Sequence, residues 1–596
     1  MPVKAYDVND HAYDVLVIGA GGAGLRAAIA AAGSGLRIAV LSKVPPTRSH
    51  TVAAQGGINA ALGNRDADDW RWHMYDTIRG SDWLGDQDAI AKMCKAAPDA
   101  INELAEWGVP FTRDDQNKIY QRAYGGQTKE FGKGGAALRA CAAEDRTGLA
   151  IMTTMYQQAL KQPIDFFVEY IALDLLMDGQ GACHGAVAWE LATGQIHVFN
   201  AQHTILATGG YGQVYAATTA SSVCTGDGNA MTLRAGLPLQ DMEFIQFHPT
   251  GLYGAGVLIT EGARGEGGTL VNGEGERFMQ NYAPQSMELA SRDVISRAIV
   301  QELAAGRGCG PNKDHVQLIM SHIDPQVIDS KLPYIASIIE TFAGIDPKRD
   351  PVPVVPSVHY TMGGIPATAN SQVVANAQGD VVQGLSAIGE AACNSTHGAN
   401  RLGCNSLLDL IVFGKDAGEQ ARASLQPNAP LALAPKASLE RALTHLDSLR
   451  YGTGSATPHA LRHEVQHCMT RYAPIYRTGA KLEQGKAKLA TIWQQLRGDL
   501  RMEDNSLIWN NDLVQAIETD NLLRQAMVTM HSAANRTESR GAHSREDFPE
   551  RDDVHWLHHT LSQLNDKGTV TLDKRAVRMQ SGMAELDSVL PEARAY

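Results

Sequence analysis

Two apolar runs of strand length near the N-terminus enclose a stretch rich in alanine. The runs cover residues 14–18 and 36–41, and the alanine-rich stretch between them ends near residue 32. Short apolar runs bounded by glycine favour buried strands, whereas a longer alanine-rich run favours a helix. The pattern therefore predicts a β–α–β unit at the start of the chain.

Helical and strand patterns alternate further along. The helical patterns cover residues 66–107 and 145–160, and the strand patterns cover residues 166–176, 186–189, 195–199 and 203–208. The first three strand patterns are typical of an antiparallel meander. The fourth ends in two glycines, which permit a second close approach of the backbone to a ligand.

The C-terminal half begins with a change of composition. Glycine-rich turns with scattered charges start near residue 244, residues 347–356 are rich in proline, and helical patterns dominate from residue 427. Within residues 511–536 an arc of roughly 140° at the helical period is apolar, and its members are Leu513, Ile517, Leu523, Met527, Met530 and Ala534. We expect this arc to be the buried face of a bundle helix. Residues 569–577 predict a small tail that contains a strand.

Composition and charge narrow the functional classes. The 596 residues carry a net charge of −13, which argues against a nucleic-acid partner because such binding needs a basic surface. The eight cysteines form no C-x-x-C pair, so we expect neither zinc nor an iron–sulfur cluster, and no other metal site. The chain has no run of ~18 apolar residues. Its polar N-terminus fits neither a signal peptide nor an arginine-rich transit peptide.

Residues 19–24 read G-A-G-G-A-G and lie between the first predicted strand and helix. There a G-x-G-x-x-G sequence indicates dinucleotide binding, because the glycines admit a pyrophosphate and the helix N-terminus offers unpaired N–H groups. A nicotinamide site usually has an acidic residue about 20 residues further on. Ser42 and Lys43 stand there instead, which disfavours NAD as the main cofactor and is compatible with FAD.

Two later helix starts are further candidates for cofactor contacts. Residues 225–229 open a predicted helix, and Asp227 is placed either to accept a hydrogen bond from a ribose hydroxyl or to cap the helix. A strand pattern at 385–390 ends in Glu390. The N–H groups of Ser406 and Leu407, at the start of an apolar helix, could meet a flavin pyrimidine edge or a phosphate.

A single imidazole follows the β–α–β unit directly. His50 lies among hydroxyl-bearing residues and is followed by Ala53-Ala54-Gln55-Gly56-Gly57. From these residues alone it is a core residue, a catalytic base or a covalent anchor for a flavin. All three interpretations stay open at this point.

Taken together, these stretches resemble the flavoprotein subunits of succinate dehydrogenase and fumarate reductase over nearly the whole chain. The segments that carry the resemblance are, in order, 19–24, 42–57, 246–250 (QFHPT), 260–265 (TEGARG), 291–293 (SRD), His359, 397–408 and 538–553.

The resemblance implies an α/β Rossmann-like FAD-binding domain with an inserted α+β capping domain, a C-terminal helical bundle domain and a small C-terminal tail domain. The expected ranges are 1–243 and 357–426 for the FAD-binding domain, 244–356 for the capping domain, 427–545 for the helical domain and 546–596 for the tail.

The resemblance also implies a covalent FAD, attached through His50 to the flavin 8α-methyl group. The residues that it places at the cofactor are Gly19, Ala20, Gly21, Gly22, Ala23, Gly24, Ser42, Lys43, Ser49, His50, Thr51, Gln55, Gly56, Gly57, Asp227, Glu390, Ser406 and Leu407.

For a substrate with two carboxylates, succinate or fumarate, the resemblance implies a clamp made by His248, Thr260, His359 and Arg401. These residue types suit that task. An arginine can bind a carboxylate bidentately, and imidazole and hydroxyl groups supply further donors.

Arg292 is similar to the family's proton-transfer residue, with Glu261 and Arg264 as its relay to solvent. Arginine acts readily as an acid towards fumarate. As a base towards succinate it must first lose its proton, transiently, through Glu261 and Arg264, because its pKa is ordinarily above ~12.

Three positions qualify the resemblance. Ala263 stands where many relatives carry cysteine, and Cys404 where many carry glycine, which leaves thiol-reagent sensitivity open. Gln55 bears on direction, because members that oxidise succinate tend to carry glutamine there and quinol-fumarate reductases tend to carry glutamate. A neutral amide does not oppose the negative charge that reduction adds to a flavin, so we predict a higher potential and oxidation of succinate to fumarate.

The family implies partners, because a two-electron flavin must pass its electrons singly to a carrier on another chain. We expect an iron–sulfur protein subunit and membrane anchor subunits. They would hold the chain peripherally on the cytoplasmic side of a bacterial inner membrane, or on the matrix side if it is a processed mitochondrial protein. The alternatives are a quinol-fumarate reductase flavoprotein, a soluble L-aspartate oxidase-like flavoenzyme, which would lack the anchoring histidine, and an inactive flavin-bearing scaffold.

Overall fold

A computed structural model describes residues 6–432, 435–582 and 588–593 of the chain. The strands of these residues are β1 Val8–Ile18, β2 Ile38–Ser42, β3 Ile58–Asn59, β4 Gln121–Thr128, β5 Ala136–Cys141, β6 Ile164–Val168, β7 Tyr170–Met177, β8 Cys183–Glu190, β9 Ile196–Leu206, β10 Leu239–Gln240, β11 Ile245–Leu252, β12 Thr269–Val271, β13 Val316–Ile319, β14 Val352–Thr361, β15 Ile365–Pro366, β16 Gln372–Val374, β17 Val381–Ala387, β18 Ala392–Cys393, β19 Tyr476–Arg477, β20 Ser544–Arg545, β21 His558–Leu564 and β22 Val570–Ala576.

The α-helices of the same residues are α1 Gly22–Ala31, α2 Trp70–Gly80, α3 Gln87–Glu106, α4 Thr147–Ala159, α5 Asp227–Arg234, α6 Gly262–Gly265, α7 Arg292–Ala304, α8 Pro325–Lys331, α9 Pro333–Ala343, α10 Asn405–Ser424, α11 Lys436–Arg450, α12 Pro458–Tyr472, α13 Gly479–Gly498 and α14 Asn511–Asn535. A short 3-10 turn covers His50–Ala53. The fold is thus a mixed α/β arrangement in which helices pack around sheets.

The main sheet contains the predicted β–α–β unit. Its strand order is β16-β17-β9-β1-β2-β6, and β1 runs parallel to both β2 and β9. The parallel strands β1, β2, β9 and β17 end at one edge, and the residues that follow them meet there. In open α/β sheets ligands bind outside the carboxyl ends of the strands. The topology therefore assigns this edge to the cofactor.

The meander β7–β8–β9 is confirmed, but its strand bounds differ from the prediction. Residues 195–199 and 203–208 belong mostly to one strand, β9, which exchanges partners midway: β8 pairs with it up to Asn200, and β17 pairs with it from Thr204 onwards. Residues 166–176 are conversely two strands, β6 and β7. Glu169 separates them with a left-handed φ of +67°, so β6 joins β2 whereas β7 joins β8.

A second sheet, β11-β14-β13-β12, is antiparallel and packs its own apolar cluster with α7, α8 and α9. The proline-rich residues 347–356, predicted as a boundary, do not end this unit. Strand β14 starts at Val352 and continues to Thr361, pairing with β11 along its length. Helix α7 contacts β11, so both elements reach the same cleft.

The C-terminal helices α11–α14 form the expected helical region, with α14 packed against α12 and α13. The predicted apolar arc of α14 is buried, with Ala534 half-buried, but it is not the only buried surface of this helix. Polar residues outside the apolar arc, including Asp520, Arg524 and Gln525, are also buried, because α14 contacts α5 and β21 as well. The predicted tail strand is β22, which forms a hairpin with β21 beside β10. Among the described helices, none combines the length and the apolar character that a membrane span requires.

Candidate active site and cofactor cleft

One long cleft of about 1570 Å³, its open mouth included, follows the carboxyl edge of the main sheet and continues to β11, β14 and α7. It brings together most of the residues predicted as cofactor contacts: Gly19, Ala20, Gly21, Gly22, Ala23, Ser42, Lys43, Ser49, His50, Thr51, Gln55, Gly56, Gly57, Asp227, Glu390, Ser406 and Leu407. The predicted substrate residues that also line it are His248, Thr260, Arg292, His359 and Arg401. The cleft is not lined by the remaining predicted residues Gly24, Glu261 and Arg264.

The glycine loop is shaped by close approaches that leave no room for side chains. Gly19 has a φ of +110°, and a Cβ there would lie 2.2 Å from Ala207 O. A Cβ on Gly24 would lie 1.8 Å from Gly19 O. Helix α1 begins without a side-chain cap. Its first N–H groups point at the cleft and suit a phosphate, except that of Gly22, which donates to Thr51 Oγ1 at 3.0 Å.

Lys43 and Asp227 form an ion pair at the far end of the cleft. Lys43 Nζ lies 2.8 Å from Asp227 Oδ2 and 2.9 Å from Glu518 Oε1. The capping alternative for Asp227 was wrong, because Gly226 is the N-cap of α5 and no side chain caps that helix. Asp227 Oδ1 instead accepts from Thr225 Oγ1 at 2.7 Å and from Asn521 Nδ2 at 3.0 Å.

His50 lies midway along the cleft with one ring nitrogen occupied. The backbone N–H of Ser221 donates to His50 Nδ1 at 3.2 Å, so Nδ1 accepts and Nε2 is left for another partner. Burial, and then the nearby Arg401 cation, lowers the pKa of His50 to about 4. The imidazole is therefore neutral at physiological pH and can act as a nucleophile.

Gln55 carries an unused acceptor in a buried position. Its Nε2 donates to Leu258 O at 2.9 Å, and its Oε1 has no partner among the described residues. Because a buried polar atom without a partner is costly, a bound group with an N–H donor would satisfy it. Together with the glycine loop and His50, this acceptor shows that the residues present fit a flavin dinucleotide.

The part of the cleft lined by His248, Thr260, Arg292, His359 and Arg401 is called the substrate half. Arg401 is at its centre. Its Nε and Nη2 donate to Gln246 Oε1 at 3.3 and 3.2 Å, its Nη1 donates to Ser406 Oγ, and its guanidinium stacks 4.2 Å from the Tyr360 ring centroid. Burial, and then Arg292, lowers the pKa of Arg401 to about 10, which still leaves it charged at neutral pH. Ser406, predicted at the cofactor, thus turns its hydroxyl to the substrate arginine.

The two histidines of the predicted clamp face each other. His248 and His359 have ring centroids 5.1 Å apart. His248 Nδ1 accepts from the Thr250 N–H at 3.2 Å, so the proton of the neutral ring is on Nε2, which has no partner among the described residues. His359 Nδ1 bonds to Thr219 Oγ1 at 2.8 Å. Burial, and then Arg292, lowers the pKa of both rings well below 6.5, so both are neutral.

The three residues of the predicted proton relay lie side by side, but only Arg292 and Glu261 are joined by a hydrogen bond. Arg292 Nε donates to Glu261 Oε2 at 2.8 Å, and Arg264 Nη2 lies 3.9 Å from the same oxygen. The Gly125 N–H donates to Glu261 Oε1 at 2.7 Å. Burial alone would raise the pKa of Glu261, but the charges of Arg292 and Arg264 offset this and lower it. The carboxylate is therefore ionised between two guanidinium groups.

Several residues of the site were not predicted. Gln246 belongs to the QFHPT segment, for which no role was predicted at this position, yet it accepts hydrogen bonds from both Arg292 and Arg401. Strand β4, far away in sequence, contributes Tyr124, whose hydroxyl lies 3.1 Å from Thr260 Oγ1. Tyr360 and Thr219 support Arg401 and His359. No local sequence signal identifies these residues, because their contacts are long-range.

The two departures from the family pattern lie at different depths. Ala263 is fully buried in the apolar cluster of the second sheet. Cys404 lines the cleft with a left-handed φ of +67°, a conformation that favours glycine. Burial, and then the Glu261 charge, raises the pKa of the Cys404 thiol to about 12, so it is protonated and a poor nucleophile. In the part of the chain that the structure describes, no three His, Cys, Asp or Glu side chains are grouped to hold a metal ion.

Comparisons with known proteins agree with this geometry. The FAD binding domain family matches residues 14–407, and the family described as the fumarate reductase flavoprotein C-terminus matches residues 462–596. The succinate dehydrogenase flavoprotein subunit of Rickettsia bellii is 54% identical over all of both chains. The mitochondrial succinate dehydrogenase [ubiquinone] flavoprotein subunit of Oryza sativa subsp. japonica is 53% identical over 100% of this chain and 94% of its own.

A solved structure of E. coli quinol fumarate reductase superposes with a TM-score of 0.91, with 38% identity and 99% coverage of each chain. The glycine loop, the sheet edge and the cleft define an FAD-binding oxidoreductase of the α/β class. Within that class, the chain belongs to the succinate dehydrogenase and fumarate reductase flavoprotein family.

Proposed function

We propose that the chain is the flavoprotein catalytic subunit of a succinate:quinone oxidoreductase and oxidises succinate to fumarate. The observation that carries the proposal is that His50 and the pair Arg401 and Arg292 line one continuous cleft. When bound, FAD supplies a hydride acceptor strong enough for an unactivated CH₂–CH₂ bond. We assign the covalent attachment of FAD to His50 Nε2, the ring nitrogen that Ser221 leaves available.

The substrate carboxylates would be held by residues of the second sheet and of the loops before α6 and α10. Arg401 binds one carboxylate, and the Nε2 proton of neutral His248 is available to an anion. Thr260 and His359 add donors nearby. Fixing both ends of a flexible dicarboxylate aligns its central carbons, and such alignment lowers the activation barrier.

Proton transfer falls to Arg292. Its Nε–H is held by Glu261, and that carboxylate also faces Arg264. To accept a proton from succinate, Arg292 must first give its own proton to Glu261, and Glu261 can pass that proton to Arg264 only after Arg264 has released one to solvent. Arg264 is fully buried.

Gln55 favours the oxidative direction. Its neutral amide presents an acceptor to the cleft and no negative charge, so it does not oppose reduction of a bound flavin. A quinol-fumarate reductase would use the same residues in reverse. We keep that direction as the second candidate because the E. coli quinol fumarate reductase shares the fold at a TM-score of 0.91.

The finer organisation belongs to the same proposal. We infer that residues 244–361, which end with β14, act as a capping domain over the cleft, that 1–243 with 362–426 form the FAD-binding domain, and that 427–545 and 546–596 form the helical and tail domains. An iron–sulfur subunit would take the electrons, and membrane anchor subunits would hold the complex on the cytoplasmic face of a bacterial inner membrane.

Two measurements test the proposal. Denaturation of the holoprotein in acid should leave the yellow colour on the chain, whereas free flavin in the supernatant would sink the covalent assignment. Succinate with an artificial electron-accepting dye should be turned over, and malonate, a shorter dicarboxylate, should inhibit competitively. A flavin-loaded protein with no turnover of succinate or fumarate would contradict the function itself.

A further inference from the structure

A buried glutamine stands between the two arginines of the substrate half. Gln246 lies on β11 and is fully buried. Its Oε1 accepts from Arg401 Nε at 3.3 Å and from Arg401 Nη2 at 3.2 Å, and the same oxygen accepts from Arg292 Nη1 at 3.2 Å. One carbonyl oxygen therefore joins two guanidinium groups.

The other end of the amide fixes this orientation. Gln246 Nε2 donates to Arg401 O at 2.7 Å and to Asn400 Oδ1 at 2.8 Å. A backbone carbonyl can only accept, and Asn400 uses its own Nδ2 to donate to Asp293 Oδ1 at 3.1 Å and to Gly80 O at 3.3 Å. A flipped amide would oppose oxygen to oxygen, so Oε1 must face the arginines.

The neutrality of Gln246 distinguishes the two arginines. Arg292 has an ion-pair partner in Glu261, at 2.8 Å. Arg401 has no carboxylate within ion-pair distance among the described residues, and its partners are the neutral groups of Gln246, Ser406 and Tyr360. Two buried cations in proximity repel each other, and a shared acceptor between them lowers that cost without cancelling either charge.

We propose that Gln246 is a positioning residue of the reaction: it sets the spacing between the arginine that binds a carboxylate and the arginine that moves a proton, and it leaves the charge of Arg401 to the dicarboxylate. The inference rests on the proposed function, from which it takes the roles of Arg401 and Arg292. A carboxylate at this place would compete with the substrate for both guanidinium groups.

Two substitutions in the holoenzyme test the two parts of this role. Gln246→Met keeps the size and removes the shared acceptor, so kcat with succinate should fall on the order of 10–100-fold and malonate should bind more weakly, because a displacement of about 1 Å can cost that much. Gln246→Glu keeps the shape and adds a charge. It should weaken malonate binding further than Gln246→Met does.

The pH profile separates positioning from a loss of packing. A carboxylate at 246 would place a negative charge beside both guanidinium groups and favour their protonated forms. The rising limb of succinate oxidation should therefore move to higher pH in Gln246→Glu and stay in place in Gln246→Met. Flavin content and melting temperature report whether each variant folds. The carboxylate of Gln246→Glu would face two acceptor oxygens, which disfavours folding. If that variant does not fold, Gln246→Met still tests whether Gln246 sets the spacing between the two arginines.

Malonate affinity, followed by the absorbance change of the flavin, keeps the inference separate from the proposed function. Gln280→Met, at an exposed glutamine, serves as the control and should match the parent protein. Parent-like kcat and malonate affinity in Gln246→Met would overturn the inference. Failure of the parent protein to oxidise succinate would overturn the proposed function instead. The malonate titration would then still test whether Gln246 positions the two arginines.

Discussion

The two halves of the cleft are built in different ways. The cofactor half comes mainly from one segment, residues 19–57, in which Gly22 bonds to Thr51 only 29 residues away. The substrate half gathers single residues from β11, α7, β14 and the loop before α10, and its central contact joins Gln246 to Arg401 across 155 residues. The cofactor half therefore depends on the local shape of one backbone segment, whereas the substrate half depends on the packing of the second sheet and α7 beside the loop before α10.

The halves also differ in how they treat charge. In the cofactor half, Lys43 is held by two carboxylates, Asp227 and Glu518, so its charge is satisfied within the protein. In the substrate half, the charge of Arg401 meets only neutral partners. The difference indicates that an anionic ligand is expected in the second half, whereas backbone N–H groups serve the first.

The largest effect should come from disrupting the glycine loop of the cofactor half. In Gly24→Ala the new Cβ would lie 1.8 Å from Gly19 O, a backbone atom that cannot move without opening the loop. We expect the variant to lose most of its bound FAD and all activity, measured by the ratio of flavin to protein absorbance. Gly179→Ala is the matched control, since its Cβ meets nothing within 4 Å. Full flavin content in Gly24→Ala would contradict the role of the loop.

The connection between the halves is tested at His50. His50→Ser should keep FAD through the remaining contacts, lose succinate oxidation and keep some fumarate reduction, because a non-covalent flavin has a lower potential. Activity in both directions, together with flavin release in acid, measures this. Since Ser is small and polar, the 3-10 turn should persist, and a melting temperature near that of the parent would verify it. Unchanged succinate oxidation would count against the anchor.

The substrate half is tested at Arg292. Arg292→Gln keeps a hydrogen-bonding side chain beside Glu261 but cannot exchange a proton, so kcat should fall about 10²–10⁴-fold, the usual contribution of general acid–base catalysis. Malonate binding should change much less, because Arg401 is untouched. Arg297→Gln, five residues further along α7, is the control, because Arg297 does not line the cleft and its side chain donates to Gly541 O and Asp293. A similar loss of malonate affinity and kcat in Arg292→Gln would indicate a role in binding instead.

The same contrast explains how much the sequence could predict. The glycine loop, the β–α–β unit and the family segments were recognisable because each is a short continuous pattern, and all of the predicted site residues except Gly24, Glu261 and Arg264 line the cleft. Tyr124 and the side-chain orientation of Ser406 were not, because they depend on contacts 136 residues away or on a turn of the chain before α10. The single strand β9 was divided in two for a related reason: its partner changes midway, which sequence alternation does not show.

The smallest effect should come from Tyr124, which refines the substrate half without belonging to its charged core. Thr260 Oγ1 accepts from the Gly262 N–H at 3.2 Å and lies 3.1 Å from the Tyr124 hydroxyl. Between the two hydroxyl groups one hydrogen is used internally, and the other remains for a carboxylate. Tyr124→Phe removes one donor but leaves the Thr260 hydroxyl hydrogen to a carboxylate, so what is lost is the neutral hydrogen bond between the two hydroxyl groups. KM for succinate should therefore rise only about 2–10-fold, with kcat nearly unchanged.

Tyr120→Phe, just before β4, is the control for that measurement, because its hydroxyl faces Glu266 and not the cleft. A fall in kcat without a change in KM in Tyr124→Phe would mean that the hydroxyl acts on the relay through Glu261 and not on the clamp. The split between KM and kcat therefore decides whether this strand contributes to the clamp or to the proton relay of the substrate half.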